Sequence, residues 1–271
     1  MTYLNKALTI AGSDSSGGAG MQADLKTFEE LGVYGMTALT CIVTMDPHSG
    51  WEHGFFPLDV SVVESQLVTI VEGVGINAMK TGMLGSTDLV DLVARSIDKY
   101  KLKNIVIDPV MVCKGCNDIL VPDAADAIKS LLLQRCDVIT PNIIEAAFLA
   151  GMQELKNVEE IKEAAGRIVE LGAKNVVIKG GERLATNEAV DIFYDGHNFE
   201  EMSSEKVYPS YNHGAGCTYS AAVTAGLANG LSVAEAVRQA KAFITAALKH
   251  SFRLNEFIGC TNHTAYKKYN L

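Results

Sequence analysis

The sequence lacks several features that mark common classes of protein. It has 23 lysine and arginine residues against 32 aspartate and glutamate residues, a formal net charge of −9. This acidic balance argues against non-specific binding to nucleic acid or to an anionic membrane surface. No apolar run reaches the length of a membrane span, and the N-terminus has no signal-peptide pattern, so we expect a cytoplasmic protein.

Linkers and repeated cysteine pairs are missing as well. The chain of 271 residues contains only six prolines and no linker, so we expect a single domain over residues 1–271. Its cysteines are Cys41, Cys113, Cys116, Cys136, Cys217 and Cys260. Without repeated pairs they are expected to be mostly free thiols of a reducing compartment. Cys113 and Cys116 have CxxC spacing, but a structural zinc ion would need two more ligands nearby.

Short apolar segments alternate with helical patterns along the chain. The predicted strands are Ala7–Ala11, Thr37–Val43, Asn104–Ile107, Asp137–Ile139 and Asn175–Lys179. The predicted helices are Met21–Leu31, Val60–Glu72, Thr87–Tyr100, Pro122–Leu133, Val158–Leu171, Cys217–Asn229 and Val233–Lys249. Nearly all-apolar strands between helices predict a three-layer α/β/α fold with a mostly parallel sheet. Asp195-Gly196 between the β-type segments Ala189–Tyr194 and Asn198–Met202 predicts an antiparallel hairpin late in the sheet.

Residues Asn212–Thr218, with the sequence NHGAGCT, are the most informative stretch. The first amides of a helix have no intrahelical acceptors, and glycines leave them uncovered. The turn therefore predicts an anion site, suited to the charge on a phosphoryl group in transfer. The same helix end is expected to favour the thiolate of Cys217. The alternative is a glycine-rich turn that merely starts a helix.

Small residues follow the first predicted strand, from Gly12 to Gly20. In a parallel sheet, ligands bind at the carboxyl ends of the strands, and small side chains there let a ligand approach the backbone. Asp24 falls one turn into the next helix, where its carboxylate could hold a substrate hydroxyl. Alternatively, Asp24 is a favourable charge near a helix N-terminus.

Charged and polar residues follow three later strands. Asp108 and Glu145 are hard oxygen groups that suit Mg²⁺ held through water, with phosphates as its other ligands. Asn142 would share a helix face with Glu145, and Lys179 offers a cation for nucleotide phosphates. Each of these residues also has an ordinary interpretation, as a helix-start charge, a strand-end cap or a solvated lysine.

Taken together, these segments resemble the ribokinase-like superfamily, and within it the branch of vitamin kinases that act on hydroxymethylpyrimidine or pyridoxal. The matching segments are LTIAGSDSSGGAGMQADLKTF, KTGMLG, IDPVMVCKG, TPNIIEA, VIKGG and NHGAGCTYSAA. Each is weak to moderate alone, but they occur in the family's order and spacing from Leu8 to Ala222. The resemblance implies a single α/β/α domain that transfers the γ-phosphoryl group of ATP to a primary alcohol, with a flap near residues 44–58 and a lid near 109–120.

The resemblance also implies roles for individual residues. Catalytic roles would fall on the anion hole Gly214, Ala215 and Gly216, on Cys217, and on Cys113. The substrate would contact Gly12, Ala19, Asp24, Met45, Val110 and Cys113. The nucleotide would contact Asn142, Lys179, Gly181, His213 and Thr218, and the metal would be associated with Asp108 and Glu145. The wider superfamily has an aspartate base where this chain has Cys217, a departure that resembles the vitamin-kinase branch.

Two positions favour pyridoxal over the pyrimidine. Met45 stands where pyrimidine kinases typically carry a glutamine that reads the aminopyrimidine edge, and a thioether cannot supply that paired donor and acceptor. Cys113 at the start of the lid, together with Cys217, resembles the dual-cysteine pyridoxal kinases. A thiolate adds reversibly to an aldehyde, so Cys113 could anchor pyridoxal while its 5′-hydroxymethyl group faces Cys217 and ATP. The alternative is that Cys113 is a lid thiol with no role. Because a thiol has an unperturbed pKa of about 8.5, activity should rise toward alkaline pH unless the helix end lowers that pKa.

Other functions remain open at the level of the sequence. The first alternative is a hydroxymethylpyrimidine (phosphate) kinase of thiamin biosynthesis; a vitamin-binding protein without catalysis and a thiol redox protein are further alternatives. The expected partners are a small-molecule substrate, ATP with Mg²⁺ and a second copy of the chain, since related kinases are commonly dimers. Whether K⁺ joins Mg²⁺ is left open, and His250–Leu271 has no assigned role.

Overall fold

A nine-stranded sheet forms the centre of the computed structural model, which describes residues 4–111, 121–181, 183–184, 187–208 and 211–269. Its strands are β1 (Lys6–Asp14), β2 (Tyr34–Asp46), β3 (Glu52–Pro57), β4 (Ala78–Thr81), β5 (Ile105–Ile107), β6 (Val138–Ile139), β7 (Val176–Lys179), β8 (Glu188–Tyr194) and β9 (Phe199–Glu205). They lie in the order β3-β2-β1-β4-β5-β6-β7-β8-β9. Neighbours from β2 to β7 are parallel, whereas β3 and the β8–β9 hairpin are antiparallel at the two edges.

Helices cover both faces of this sheet. They are α1 (Gly20–Glu30), α2 (Val60–Leu67), α3 (Thr87–Tyr100), α4 (Pro122–Ala127), α5 (Ile143–Ala150), α6 (Val158–Glu170), α7 (Ala215–Ala228), α8 (Val233–Lys249) and α9 (Ala265–Tyr269). One core joins α2–α6 to strand residues such as Leu8 and Ile10, and the other joins α1, α7 and α8 to residues such as Ala7. This alternation follows from the two-residue period of a strand. The predicted three-layer α/β/α fold and the late hairpin are confirmed.

Several elements depart from the sequence predictions. The helices begun by α2 and α4 continue in π-helical turns at Val68–Val74 and Ile128–Leu132. β4 was not predicted because Lys80 and Thr81 interrupt its apolar run, although both are buried. β3 was not predicted because it is largely exposed and ends in proline. A further short hairpin forms from β10 (Phe252–Arg253) and β11 (Gly259–Cys260).

The order of the strands locates the place where a ligand can bind. β1 lies between β2 and β4. The helix after β1, α1, packs on one face, and the helix after β4, α3, packs on the other. Where the connections that follow two neighbouring strands run to opposite faces of the sheet, a crevice opens at the carboxyl ends of those strands. In the part of the chain that the structure describes, no helix is both long and apolar enough to cross a lipid bilayer.

Candidate active site

A cleft of about 390 Å³ opens at this point of the sheet. The predicted site residues that line it are Gly12, Ala19, Asp24, Met45, Asp108, Val110, Asn142, Glu145, Lys179, His213, Gly214, Ala215, Gly216 and Cys217. Residues separated by up to about two hundred positions along the chain thus meet in one cavity, as in the hydrogen bond between Asp14 and His213. Gly181 and Thr218 do not line this cleft. Cys113 and most of the predicted lid, 112–120, lie outside the described residues.

The turn before α7 has the conformation that its glycines predict. Gly214 has a φ of 82°, and a side chain there would collide with the carbonyl oxygen of Gly18. The amide of Ala215 donates to the Asn212 carbonyl at 3.1 Å. The amides of Gly216 and Cys217 begin the helix, where no intrahelical acceptor exists for them. These two amides are therefore the ones oriented for an anion.

Cys217 is surrounded by protein and by charge. Burial raises the pKa of its thiol to about 11; Lys80 lowers it, while Asp24 and Asp108 raise it further. The Gly20 amide, at the start of α1, donates to the sulfur and also favours the thiolate. The expectation that the helix end favours the thiolate of Cys217 is thus wrong, because burial outweighs the helix end. Cys217 carries a neutral thiol at pH 7.

A chain of buried polar groups crosses the floor of the cleft. Thr9 Oγ1 donates to Asp24 Oδ2 at 2.6 Å, and Lys80 Nζ donates to Asp24 Oδ1 at 2.8 Å. Lys80 Nζ lies 4.0 Å from Asp108 Oδ2, and both Lys80 and Asp24 have side chains with 0% exposure. Burial acts to lower the pKa of Lys80, but the neighbouring acidic groups outweigh it and raise that pKa. Lys80 is therefore a buried cation of the site that the sequence did not reveal.

The Lys80–Asp24 pair limits what Asp24 can do. Burial is the main cause that raises the pKa of the Asp24 carboxyl, with Lys80 opposing it. Both carboxylate oxygens already accept hydrogen bonds within the protein. A direct bond from Asp24 to a substrate hydroxyl, as predicted, would have to share one of these oxygens.

Asp108 and Glu145 are also engaged by protein donors. Asp108 accepts from Ser220 Oγ at 2.9 Å and from Lys179 Nζ at 3.3 Å. Glu145 accepts from the backbone amides of Asn142 and Met111, at 2.8 and 3.1 Å. Burial raises the pKa of Glu145, and Lys179 opposes that rise.

This donor set determines how a metal ion would be held. Among the described residues, no three His, Cys, Asp or Glu side chains are grouped to bind a metal directly. Carboxylates that already bond to protein donors fit Mg²⁺ held through water and substrate phosphates. Lys179 Nζ lies 3.5 Å from the position of a Cβ on Gly216, so its charge adjoins the anion-binding turn.

His213 connects the anion-binding turn to the loop after β1. Its Nε2 lies 2.7 Å from Asp14 Oδ2, and the same carboxylate accepts from the amides of Ser16 and Ala19 at 2.8 Å. Burial acts to raise the pKa of Asp14, but the hydrogen bonds from His213 and Ser16 lower it to about 2. Asp14 is thus an ionised anchor that holds the two glycine-rich segments together.

The β2–β3 hairpin covers the other side of the cleft. Met45 pairs in register with His53, and both line the cavity. Trp51, in the turn of the hairpin, stacks on Phe257 with ring centroids 5.3 Å apart. Sequence reasoning missed several lining residues, namely Ser13, Asp14, Val43, His53, Lys80, Met83, Arg183 and Asn212. Most of these belong to quoted motifs, but their side-chain directions depend on register and helix position.

A parallel sheet whose switch point faces an anion-binding helix start has the arrangement of a phosphoryl-transfer enzyme. The family model described as phosphomethylpyrimidine kinase matches residues 14–262. The chain is 56% identical over 264 residues to a pyridoxine kinase of Bacillus subtilis, covering 97% of each sequence. It is 40% identical over 268 residues to a hydroxymethylpyrimidine/phosphomethylpyrimidine kinase of the same organism, covering 99% of this chain and 98% of the relative.

A solved structure agrees with these relatives. The pyridoxal kinase from Staphylococcus aureus in complex with AMP-PCP and pyridoxal superimposes with a TM-score of 0.93 at 46% identity, covering 99% of this chain and 96% of that one. The chain belongs to the phosphomethylpyrimidine kinase family, and its fold is the ribokinase-like one that the resemblance implied.

Proposed function

We propose that this protein is an ATP-dependent kinase that phosphorylates the 5′-hydroxymethyl group of pyridoxal, and also of pyridoxine and pyridoxamine. The observation that carries the proposal is that one cleft joins Cys217 and the anion-binding turn to a flap carrying Met45. The first two groups suit phosphoryl transfer, and the third suits a ring without an aminopyrimidine edge. The similarity to the pyridoxine kinase and the pyridoxal kinase described above also supports this proposal.

The chemistry depends mainly on position and charge. The amides of Gly216 and Cys217, with Lys179 beside them, are placed for the oxygens of the γ-phosphoryl group. Late in the transfer, Cys217 takes the proton of the substrate alcohol as its thiolate, the minor form at pH 7, or, as a thiol, gives its own proton to a phosphoryl oxygen while it receives the alcohol proton. Mg²⁺, held through water near Asp108 and Glu145, would neutralise charge on the nucleotide phosphates.

Substrate and nucleotide would enter from opposite sides of the turn. Gly12, Ala19 and Val110 line the cleft together with Met45, and these residues would contact the ring. Asn142 lies at the start of α5 on the nucleotide side, and its side-chain oxygen already caps that helix. Gly181, His213 and Thr218 remain predicted nucleotide contacts, of which only His213 lines the cleft.

Cys113 remains a proposed anchor for the aldehyde of pyridoxal. Its thiolate would form a C–S bond to the carbonyl carbon, and the carbonyl oxygen would take a proton, giving a hemithioacetal. Pyridoxine has an alcohol in place of the aldehyde and cannot react in this way. Cys113→Ala should therefore weaken kcat/KM for pyridoxal but not for pyridoxine; equal losses for both would refute the anchor.

A second candidate is hydroxymethylpyrimidine phosphorylation. It is favoured by the description of the family model and by the relative at 40% identity. The thioether of Met45 opposes this function, because a thioether cannot donate and accept hydrogen bonds at an aminopyrimidine edge.

We also expect the enzyme to be a cytoplasmic homodimer. Light scattering of the purified protein would test its oligomeric state.

One assay separates these functions. The purified protein is mixed with Mg²⁺–ATP and, separately, pyridoxal, pyridoxine and hydroxymethylpyrimidine, and each phosphorylated product is measured by mass. Preference for pyridoxal supports the proposal, and preference for the pyrimidine makes this a thiamin-pathway kinase. Absence of any phosphorylated product and of ATP consumption would leave a vitamin-binding protein without catalysis.

A further inference from the structure

The C-terminal segment Gly259–His263, which the sequence motifs leave without a role, packs directly behind the anion-binding turn. We call this segment the brace. The His213 amide donates to the Gly259 carbonyl at 3.2 Å, and the Thr261 amide donates to the His213 carbonyl at 3.4 Å. The brace therefore holds both backbone groups of the residue that precedes Gly214.

Close packing brings the brace into contact with both glycine-rich segments. A side chain on Gly259 would collide with the ring of Tyr211, and one on Gly18 would collide with Cys260 and with His213. The loop after β1, the turn before α7 and the brace thus touch one another at Gly18 and at Gly259, where no side chain fits. A displacement of the brace would be transmitted to the turn, because close-packed interiors deform little.

A side-chain link joins the brace to the turn as well. Thr218 Oγ1 donates to the Gly214 carbonyl at 2.9 Å, and His263 Nε2 lies 3.0 Å from Thr218 Oγ1. A hydroxyl has one proton, so with that proton on the Gly214 carbonyl Thr218 accepts from His263 in its Nε2–H tautomer. Burial, with a smaller effect from Lys26, lowers the pKa of His263 to about 4, which keeps this imidazole neutral at pH 7.

The brace is itself fixed to the body of the protein. The Asn262 amide donates to the Ala247 carbonyl of α8 at 3.0 Å. Asn262 Oδ1 accepts from the amide and the hydroxyl of Thr264, which closes the turn into α9. His263 therefore presents its N–H from a backbone that is tied down on both sides of it.

We propose that His263 is a positioning residue for phosphoryl transfer, acting through Thr218 on the Gly214 carbonyl. The Gly214 carbonyl also accepts from the Thr218 amide at 2.9 Å and so closes the first turn of the helix, in which the amides of Gly216 and Cys217 lie; a shift of this carbonyl would therefore move both amides. Neither His263 nor Thr218 lines the catalytic cleft. The effect is thus on the alignment of donors for transition-state charge, which should appear in kcat rather than in substrate affinity.

The test compares two replacements of His263 and rests on the proposed kinase activity. His263→Leu removes the donor and should lower kcat about tenfold while KM for ATP and for the alcohol substrate changes less than about twofold. His263→Gln keeps an N–H donor and should recover kcat to within about threefold of the wild type. His250→Leu is the matched control, since His250 lies in the same C-terminal region but stacks on Tyr269. That control should leave kcat unchanged.

A second pair of variants tests the same link if His263→Leu folds poorly. Thr218→Val removes the hydroxyl at nearly constant volume and should reproduce the loss of kcat, while Thr218→Ser should restore it. Because both residues act in one chain of hydrogen bonds, the double variant His263→Leu/Thr218→Val should be no worse than the more impaired single variant. Wild-type kcat in Thr218→Val, or equal losses in the Gln and Leu variants of His263, would overturn the proposal.

The outcome stays separate from the question of which vitamin is the substrate. If the wild-type enzyme phosphorylates hydroxymethylpyrimidine instead of pyridoxal, the same variants are measured with that substrate. The turn and the brace serve the phosphoryl group, which is common to both reactions. If the wild-type protein phosphorylates neither, the kinase proposal fails first and the role assigned to His263 fails with it.

Discussion

The floor of the cleft and the flap above it are built in opposite ways. On the floor, the side chains of Lys80 and Asp24 have 0% exposure and are paired to each other. On the flap, formed by the β2–β3 hairpin, Phe55 and Phe56 are 47% and 57% exposed. The floor lies among central strands, whereas β3 is an edge strand with one neighbour.

This difference in burial separates the residues proposed for phosphoryl transfer, on the floor, from the residues proposed to recognise the ring, on the flap. The groups proposed to act on the phosphoryl group are held by buried partners from several elements, so a change in one of them should disturb the others. A flap residue such as Met45 is only partly buried and lines the cleft, so we expect that it can change with little effect on the fold. The two candidate substrates, pyridoxal and hydroxymethylpyrimidine, would share the phosphoryl chemistry and differ in the ring, which matches this division.

Replacing the floor thiol should give the largest effect on activity. Cys217→Ala removes the group proposed to relay the alcohol proton, and kcat should fall about 10²–10⁴-fold while ATP affinity is retained. Steady-state kinetics with Mg²⁺–ATP would measure this. Cys136→Ala, in the core and outside the cleft, is the control. Turnover equal to that of the wild type would show that Cys217 has no role in the mechanism. The assignment of the floor to chemistry would then lose its main support.

The raised pKa of Cys217 predicts its dependence on pH. With a pKa of about 11, the thiolate is a minor species at pH 7. Its fraction, and therefore the rate of alkylation by iodoacetamide, should rise about tenfold per pH unit between pH 7 and 9. Peptide mass spectrometry would follow Cys217 separately from the other cysteines. An alkylation rate that no longer rises above pH 7 would show instead that Cys217 is already a thiolate at that pH.

Breaking the buried pair should give the largest effect on stability. Lys80→Met leaves the Asp24 carboxylate without its cation and should lower the free energy of unfolding by about 3–5 kcal/mol. Lys80→Met/Asp24→Asn removes both charges and should recover most of that loss. Urea denaturation measures both. If the double variant is no more stable than Lys80→Met alone, the Lys80–Asp24 pair is not what stabilises the floor of the cleft.

On the flap, a change should alter specificity more than stability. Met45→Gln supplies an amide donor and acceptor, and should raise kcat/KM for hydroxymethylpyrimidine relative to pyridoxal by about tenfold. Met45→Leu, which supplies neither, should leave the ratio within about twofold of the wild type. An unchanged ratio in the glutamine variant would mean that another part of the cleft selects the ring.

The smallest effect is expected for an exposed ring of the flap. Phe56→Ala should change the free energy of unfolding by no more than about 0.5 kcal/mol, because the side chain is more than half exposed. Phe28→Ala, at 0% exposure in the core between α1 and the sheet, should cost about 3–5 kcal/mol. Similar losses for the two phenylalanines would show that the flap is packed as firmly as the floor.

Much of the fold could be predicted because its strands and helices depend on patterns of neighbouring residues in the sequence. Apolar runs indicated β1, β5, β6 and β7, and the NHGAGCT stretch indicated the helix start at α7. The residues after these strands then met in one cleft, as parallel strands require. The order of the motifs indicated the family.

The missing parts depend on distant partners. A lysine in Ala78–Thr81 reads as a break in a strand until Asp24, 56 positions away, is known to accept from it. His263 reads as a surface residue until Thr218, 45 positions away, is placed beside it. The pKa of Cys217 was misjudged for a related reason, since the helix end is visible in the sequence and the burial around the sulfur is not.

The contact between the brace and the turn has a consequence for biosynthesis. The cleft combines residues 12–24 with 213–217, and the turn is held by 259–263, so the site spans nearly the whole chain in sequence order. The turn can therefore be held in place only after residues 259–263 have been made. The early strands can pair during translation, but the candidate site assembles only after the brace has been added.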